Sequence, residues 1–250
     1  MNSASTQVSL IVTFHGEGKI ASKSLMGIAR CRQHARRSGV RCEIIAVADR
    51  ADRATLSSLE EADVLEDSDQ LIEVSVGDVG LARNAGVSMS RGEWISISDG
   101  DDYLGADWIT RTLAKAAEKG RNHVFHPEWV AYFGQQQAIW RQIGSDHPDF
   151  DPGILLVANP WNACSFAHAT IRDKHPYIGT SRLPEGFGFE DWHWHCQTLS
   201  KGCAHFTVDD TLHLVRIKSE GSLNESHRRR SAIIPRTDFF LPRPDRIAND

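Results

Sequence analysis

The sequence predicts an α/β fold built on a mainly parallel sheet with helices packed against it. Three observations predict it. Short continuous apolar runs recur through the N-terminal half, as expected of strands buried on both faces. Each run is followed by a segment with apolar residues at helical spacing, the alternation that gives a parallel sheet with right-handed crossovers. The fourth run ends in Asp99, Asp101 and Asp102, at the strand end where open α/β sheets bind ligands.

Taken in order, Val8–Phe14 is the first strand, bounded by His15-Gly16. Leu25, Ile28 and Ala29 mark a helix that Gly39 stops. Glu43–Ala48 is a second strand ending at Asp49, and Leu56 and Leu59 suggest a short helix after it. Leu71–Val74 is a third strand, and Asp78 is placed to cap the helix near 80–90. Trp94–Ser98 is the fourth strand. Asp107 is expected to cap a helix with Ile109, Leu113 and Ala117 on one face, ending at Gly120. Beyond residue 120 the rhythm breaks. Residues 121–185 are rich in His, Trp, Pro and Gly, with strand-like pieces at 124–125, 129–133 and 154–157. A Gly-rich loop and a helix occupy 186–201, and Leu212–Ser219 alternates like a strand. From Ser226, Arg228–Arg230 with Pro235, Pro242 and Pro244 suggest an extended tail.

A chain of 250 residues allows one large domain or two small ones, with a core burying roughly 70–75% of the unfolded surface. Apolar residues make up 40% and charged residues 24%, a soluble globular composition. The 33 acidic residues outnumber the 28 basic ones, for a net charge of −5, which argues against nucleic acid as a partner. The odd set Cys31, Cys42, Cys164, Cys196 and Cys203 has no disulfide spacing. No signal peptide is visible and no apolar run approaches ~18 residues, so no integral membrane segment is expected. A reducing cytoplasmic setting fits, with peripheral attachment at the inner face of the membrane left open. His193, His195, Cys196, Cys203 and His205 match no closed zinc site.

Crowded carboxylates repel, and a bound divalent cation relieves them; oxygen ligands suit Mg²⁺ or Mn²⁺. The run Gly80-x-Ala82-Arg83-Asn84-x-Gly86, then Gly92 before an apolar strand, then Asp99-x-Asp101-Asp102, resembles the metal-binding segment of the family 2 glycosyltransferases. That resemblance implies the GT-A fold: a Rossmann-like, mostly parallel sheet flanked by helices, with a smaller mixed acceptor-binding region. It divides the chain into a nucleotide-sugar-binding half (1–110), an acceptor-binding half of the same domain (111–225) and a C-terminal tail (226–250). It implies that Thr13 and Phe14 touch the nucleotide, that Arg83 meets the nucleotide or its carboxylate ligands, and that Asp99 meets the donor ribose. Asp101 would hold Mn²⁺ or Mg²⁺ directly, Asp102 would ligate through water or brace the turn, and His213 would add a nitrogen ligand. An Asp after the second strand would read the uracil N3–H. Asp49 aligns with it and Asp52 is its rival, because Ala48-Asp49-Arg50-Ala51 departs from the family's Asp-Asp-Gly-Ser.

Glu190-Asp191-Trp192 matches the family's second motif. The resemblance makes Asp191 the general base, with Glu190 touching the acceptor or bracing the loop. In the first helical turn the macrodipole is expected to keep Asp191 ionised. Trp192, Phe187 and Phe189 offer apolar faces for an acceptor sugar, although Trp192, Cys196 and Leu199 also form a core stripe. The expected function is metal-dependent, inverting transfer from a nucleotide sugar, a UDP-sugar, to a saccharide or lipid-linked acceptor. The alternatives are a sugar-1-phosphate nucleotidyltransferase and a non-catalytic nucleotide-sugar-binding protein.

Overall fold

The computed structural model describes residues 6–218 and 223–241. One nine-stranded sheet runs through it. Its parallel part is β1 (Val8–Phe14), β2 (Cys42–Asp49), β3 (Gln70–Val74) and β4 (Trp94–Asp99), in the order β3-β2-β1-β4. β1 and β2 read as continuous apolar runs because every residue in them is buried. Their side chains alternate between two cores. Leu10, Val12, Ile44 and Ala46 face one, together with Leu25, Ile28 and Cys31 of α1 (Ile20–Arg37). Ile11, Ile45 and Val47 face the other, with Ala82 of α3 (Val79–Met89). α2 (Arg53–Glu61) is capped by Asp52 and α3 by Asp78, whose side chains accept backbone N–H bonds from Thr55 and Leu81.

Past β4 the sheet continues as β8-β6-β9-β5. β5 is Tyr103–Leu104, β6 Val124–Gly134, β7 Ala138–Arg141, β8 Ser165–His168 and β9 His205–Ile217. β8 is antiparallel to β4 and to β6, β6 is parallel to β9, and β7 pairs antiparallel with β6. The two strand-like pieces expected at 124–125 and 129–133 are one strand. Its register shifts between Pro127 and Trp129, where proline has no N–H to give the ladder. α4 (Trp108–Lys119) starts after Asp107, but that carboxylate bonds Arg111 instead of capping the backbone.

Three expectations are corrected. Residues 152–156 form a 3-10 turn and not a strand, because Asp151 caps it and Pro152 opens it. β8 and β7 were not foreseen. The segment from Ser226 is not simply extended: α7 (Leu223–Arg229) is helical, and Ile233 pairs with Phe187 in an isolated bridge. Pro242 and Pro244 lie outside the described residues. Before them, α5 (Ala169–Lys174) and α6 (Glu190–Ser200) complete the helices.

Candidate active site

β1, β2 and β4 end side by side. Thr13 is in register with Asp99, and Phe14 with Ala48. Their carboxyl ends open into a cleft of about 1080 Å³. Thr13, Phe14, Asp49, Arg83, Asp99, Asp101, Asp102, Phe187, Glu190 and Asp191 all line it, so the two motifs 90 residues apart in the chain do converge.

Arg83 joins them. Only 2% exposed, it donates to Asp99 Oδ1 and to Glu190 Oε1, each at 2.7 Å. Burial pushes the Asp99 carboxyl up, but the Arg83 guanidinium outweighs it, helped by His213 and Lys218, and holds it below its ordinary value. The motif's other residues set α3 in place. Asn84 pairs with the Tyr177 backbone in both directions, at 2.8 and 2.9 Å. A Cβ on Gly80 would come within 2.8 Å of the Ile178 carbonyl and 3.2 Å of Glu190 Cγ, so only glycine lets α6 approach.

Asp49 lines the cleft and is held by the backbone. Both its oxygens are engaged by backbone N–H groups: Oδ1 by Val76 and Gly77 at 2.9 Å, Oδ2 by Asp78 at 3.0 Å. Its rival Asp52 caps α2. Both carboxylates therefore have structural bonds, and of the two Asp49 is the one that lines the cleft. Thr13 Oγ1 reaches Asp99 at 3.5 Å, and the Phe14 side chain is buried under Gly100.

Asp191 stands in the first turn of α6, where Oδ1 accepts from the Trp192 N–H at 2.8 Å and Oδ2 from Asn159 Nδ2 at 3.2 Å. Burial, then the neighbouring Glu190, push its carboxyl up to about 7 against the pull of Arg83. The helix terminus favours the ionised form, and desolvation with a like charge opposes it. Asn159 carried no sequence signal, since 32 residues separate it from Asp191.

Of the three aromatic acceptor candidates, Phe187 lines the cleft. Phe189 adopts φ 58° at the start of α6 and packs edge-on against Trp192 and His227. Trp192 donates to the Leu155 carbonyl at 3.1 Å and joins Cys196, Leu199 and Trp161 in a small core. Neither ring is among the residues that line the cleft, and both are packed against neighbours.

The model for Glycosyl transferase family 2 matches residues 9–177, more than half of the chain. The chain belongs to that family. No curated protein sequence matches it significantly. Solved structures share the glycosyl transferase fold. The crystal structure of S. aureus TarS 1–349 in complex with UDP-GlcNAc superposes with a TM-score of 0.65 at 16% identity, over 88% of this chain and 61% of that one. The same protein with UDP gives 0.64 at 14%, over 85% and 61%. The chain therefore spans about 61% of the TarS fragments it resembles.

Members of glycosyl transferase family 2 commonly use a divalent cation, and the acid cluster can be tested for one. Burial, then Asp102, push the Asp101 carboxyl up to about 6, against Lys218, whose Nζ lies 2.9 Å from Asp101 Oδ2. Asp102 is turned elsewhere: Oδ1 accepts the Arg216 N–H at 2.9 Å and Oδ2 sits 3.1 Å from His213 Nε2. His213 Nδ1 is 2.5 Å from Asn162 Nδ2. Among the described residues no three His, Cys, Asp or Glu side chains are gathered as a ready ligand group. Asp101 offers the carboxylate oxygen a hard cation takes, in competition with Lys218, while Asp102 and His213 are paired behind it.

Proposed function

We propose that this chain transfers a sugar from a nucleoside diphosphate donor, a UDP-sugar, to an acceptor hydroxyl with inversion, Asp191 acting as general base. The observation that carries this reading is the Arg83 bridge, which puts the strand-end acids and Asp191 in one cleft. The TarS complexes with UDP-GlcNAc and UDP support the donor class. Asp191 takes the proton from the acceptor hydroxyl. That oxygen attacks the anomeric carbon while the bond to the nucleoside diphosphate breaks on the opposite face. Arg83 holds Asp99 ionised and fixes Asp99 and Glu190 on either side. Phe187 is the apolar surface available to the acceptor, a saccharide or lipid-linked sugar. A bound Mn²⁺ or Mg²⁺ held at Asp101, with Asp102 and His213 behind it, would neutralise charge on the departing diphosphate.

The test is donor binding together with turnover. UDP should bind more tightly with Mn²⁺ than without it, and Asp101→Ala should remove that difference. Asp191→Asn should keep UDP binding and lose about 10²–10⁴-fold in UDP release from a UDP-sugar. A fully active Asp191→Asn would remove Asp191 as the base, and a wild type that binds UDP without releasing it from any UDP-sugar would leave the non-catalytic binding reading. Family membership supports transfer over the nucleotidyltransferase alternative.

A further inference from the structure

The polar network behind Asp191 reaches deep into the protein. Asn159 Nδ2 donates to Asp191 Oδ2 at 3.2 Å, and Asn159 Oδ1 stands 3.0 Å from His195 Nδ1. An amide oxygen only accepts, so His195 must carry its proton on Nδ1. The Trp161 N–H, 3.5 Å from the same oxygen, orients the amide the same way. His195 is fully buried, one turn beyond Asp191 on α6, and its Nε2 has no hydrogen-bond partner. That bare nitrogen is what a neutral Nδ1–H imidazole leaves. Burial, with His126 and His205 next, holds the ring well below its ordinary pKa and so uncharged. His126 and His205 are themselves tied to each other at 2.9 Å and pack against the His195 ring.

We infer that Asn159, locked by His195, is a positioning residue for Asp191: it fixes the plane of the carboxylate and directs its remaining lone pairs into the cleft. This rests on the reading of Asp191 as the base. The direction of the chain, Nδ1–H of His195 to Asn159 oxygen, Asn159 N–H to Asp191, is set by the Trp161 N–H on the same oxygen and by the ionised Asp191, against which a reversed amide would put two acceptors together. A hydrogen bond given to a carboxylate favours its ionised form, so Asn159 also opposes the burial and the Glu190 charge that resist ionisation. The other charges facing Asp191 are Arg83 from α3 and Asp99 from β4, both fixed by their own ion pair; His227 of α7 acts on Glu190.

The experiment follows the Asp191 carboxyl by ¹³C NMR titration in the full chain, its resonance assigned by loss in Asp191→Asn. UDP release from UDP-GlcNAc with Mn²⁺ is followed across pH in parallel. Asn159→Ala should raise the Asp191 midpoint above wild type, move the acid limb of the UDP-release profile the same way, and lower kcat about tenfold or more with little change in donor KM. His195→Leu should do the same, whereas His195→Asn, which restores an N–H near Nδ1, should return both readouts to wild type. Asn159→Ala and His195→Leu remove the network from opposite ends, so whichever folds decides. An Asp191 titration unmoved by either overturns the positioning role. A moved titration with UDP release intact in Asp191→Asn overturns the base reading instead, and with it any catalytic purpose for Asn159.

Discussion

At the residue scale, Arg83 is the side chain on which most of the site depends. Its guanidinium is fixed between two carboxylates, that of Glu190 buried and that of Asp99 34% exposed at the cleft. Removing one member of a buried charge network leaves the others stranded, at a cost of about 3–5 kcal/mol. Arg83→Met should therefore lower stability by that order in urea denaturation and abolish donor turnover; Arg83→Lys, with one ammonium in place of a fork, should recover stability only in part. A second residue-scale effect has the opposite sign. Asp191 titrates near 7 in the folded chain and at its ordinary value of 3.8 when unfolded. Between those values the unfolded chain releases a proton that the folded one keeps, so stability falls as pH rises through that window. Asp191→Asn removes the effect. Its melting temperature should match wild type near pH 3 and exceed it at pH 8, and equal melting at both pH values would show that Asp191 is not raised. Arg83 was visible in the sequence as part of a motif. Its role as a bridge was not, because Glu190 lies 107 residues away and nothing local pairs them.

At the element scale, α3 is held against the sheet by the absence of a side chain. A Cβ on Gly86 would approach Ile11 Cγ2 to 2.5 Å and Val47 Cγ2 to 3.0 Å, both in the core beneath the helix. Gly86→Ala gains helix propensity but overpacks this contact, and the clash dominates. We expect a loss of about 1–3 kcal/mol in chemical denaturation, with donor binding weakened as Arg83 moves with the helix. A variant as stable as wild type would show that the sheet yields instead. The elements most legible in the sequence are those buried on both faces. β1, β2 and β4 announce themselves as apolar runs because helices cover each side. β8 does not, for Ser165-Phe-Ala-His168 hides its polar ends by bonding: Arg172 donates to the Ser165 carbonyl and hydroxyl, and His168 packs on Trp94. Only long-range partners make such a segment a buried strand. The same holds for Trp192, whose helical stripe with Cys196 and Leu199 predicted packing correctly while its aromatic face suggested a sugar.

At the scale of the whole molecule, the cleft is assembled from both ends of the described chain. Thr180 and Ser181 are tied to Asp78, the cap of α3, the Ser181 N–H at 2.7 Å. Further along the same loop, Gly188 N–H donates to the Ile233 carbonyl at 3.0 Å and Ile233 N–H to the Gly186 carbonyl at 2.8 Å. The loop that carries Phe187 to the cleft is thus held on one side by Asp78 and on the other by the segment after α7. The Ile233 side chain is 63% exposed, so its backbone matters more than its packing. Ile233→Pro removes the N–H that holds Gly186 and should free the loop while leaving the two sheet-face cores intact. Each such bond is worth only about 0.5–1.5 kcal/mol, small beside global stability but comparable to the local free energy of opening a loop. Trypsin should then cut after exposed Arg182 several-fold faster than in wild type, with the melting temperature little changed. UDP with Mn²⁺ should slow the cut in both proteins, because a ligand that binds only the closed arrangement stabilises it by mass action. Equal cleavage rates in the two proteins would mean that the Asp78 attachment alone holds the loop, and that the C-terminal segment has no hold on the site.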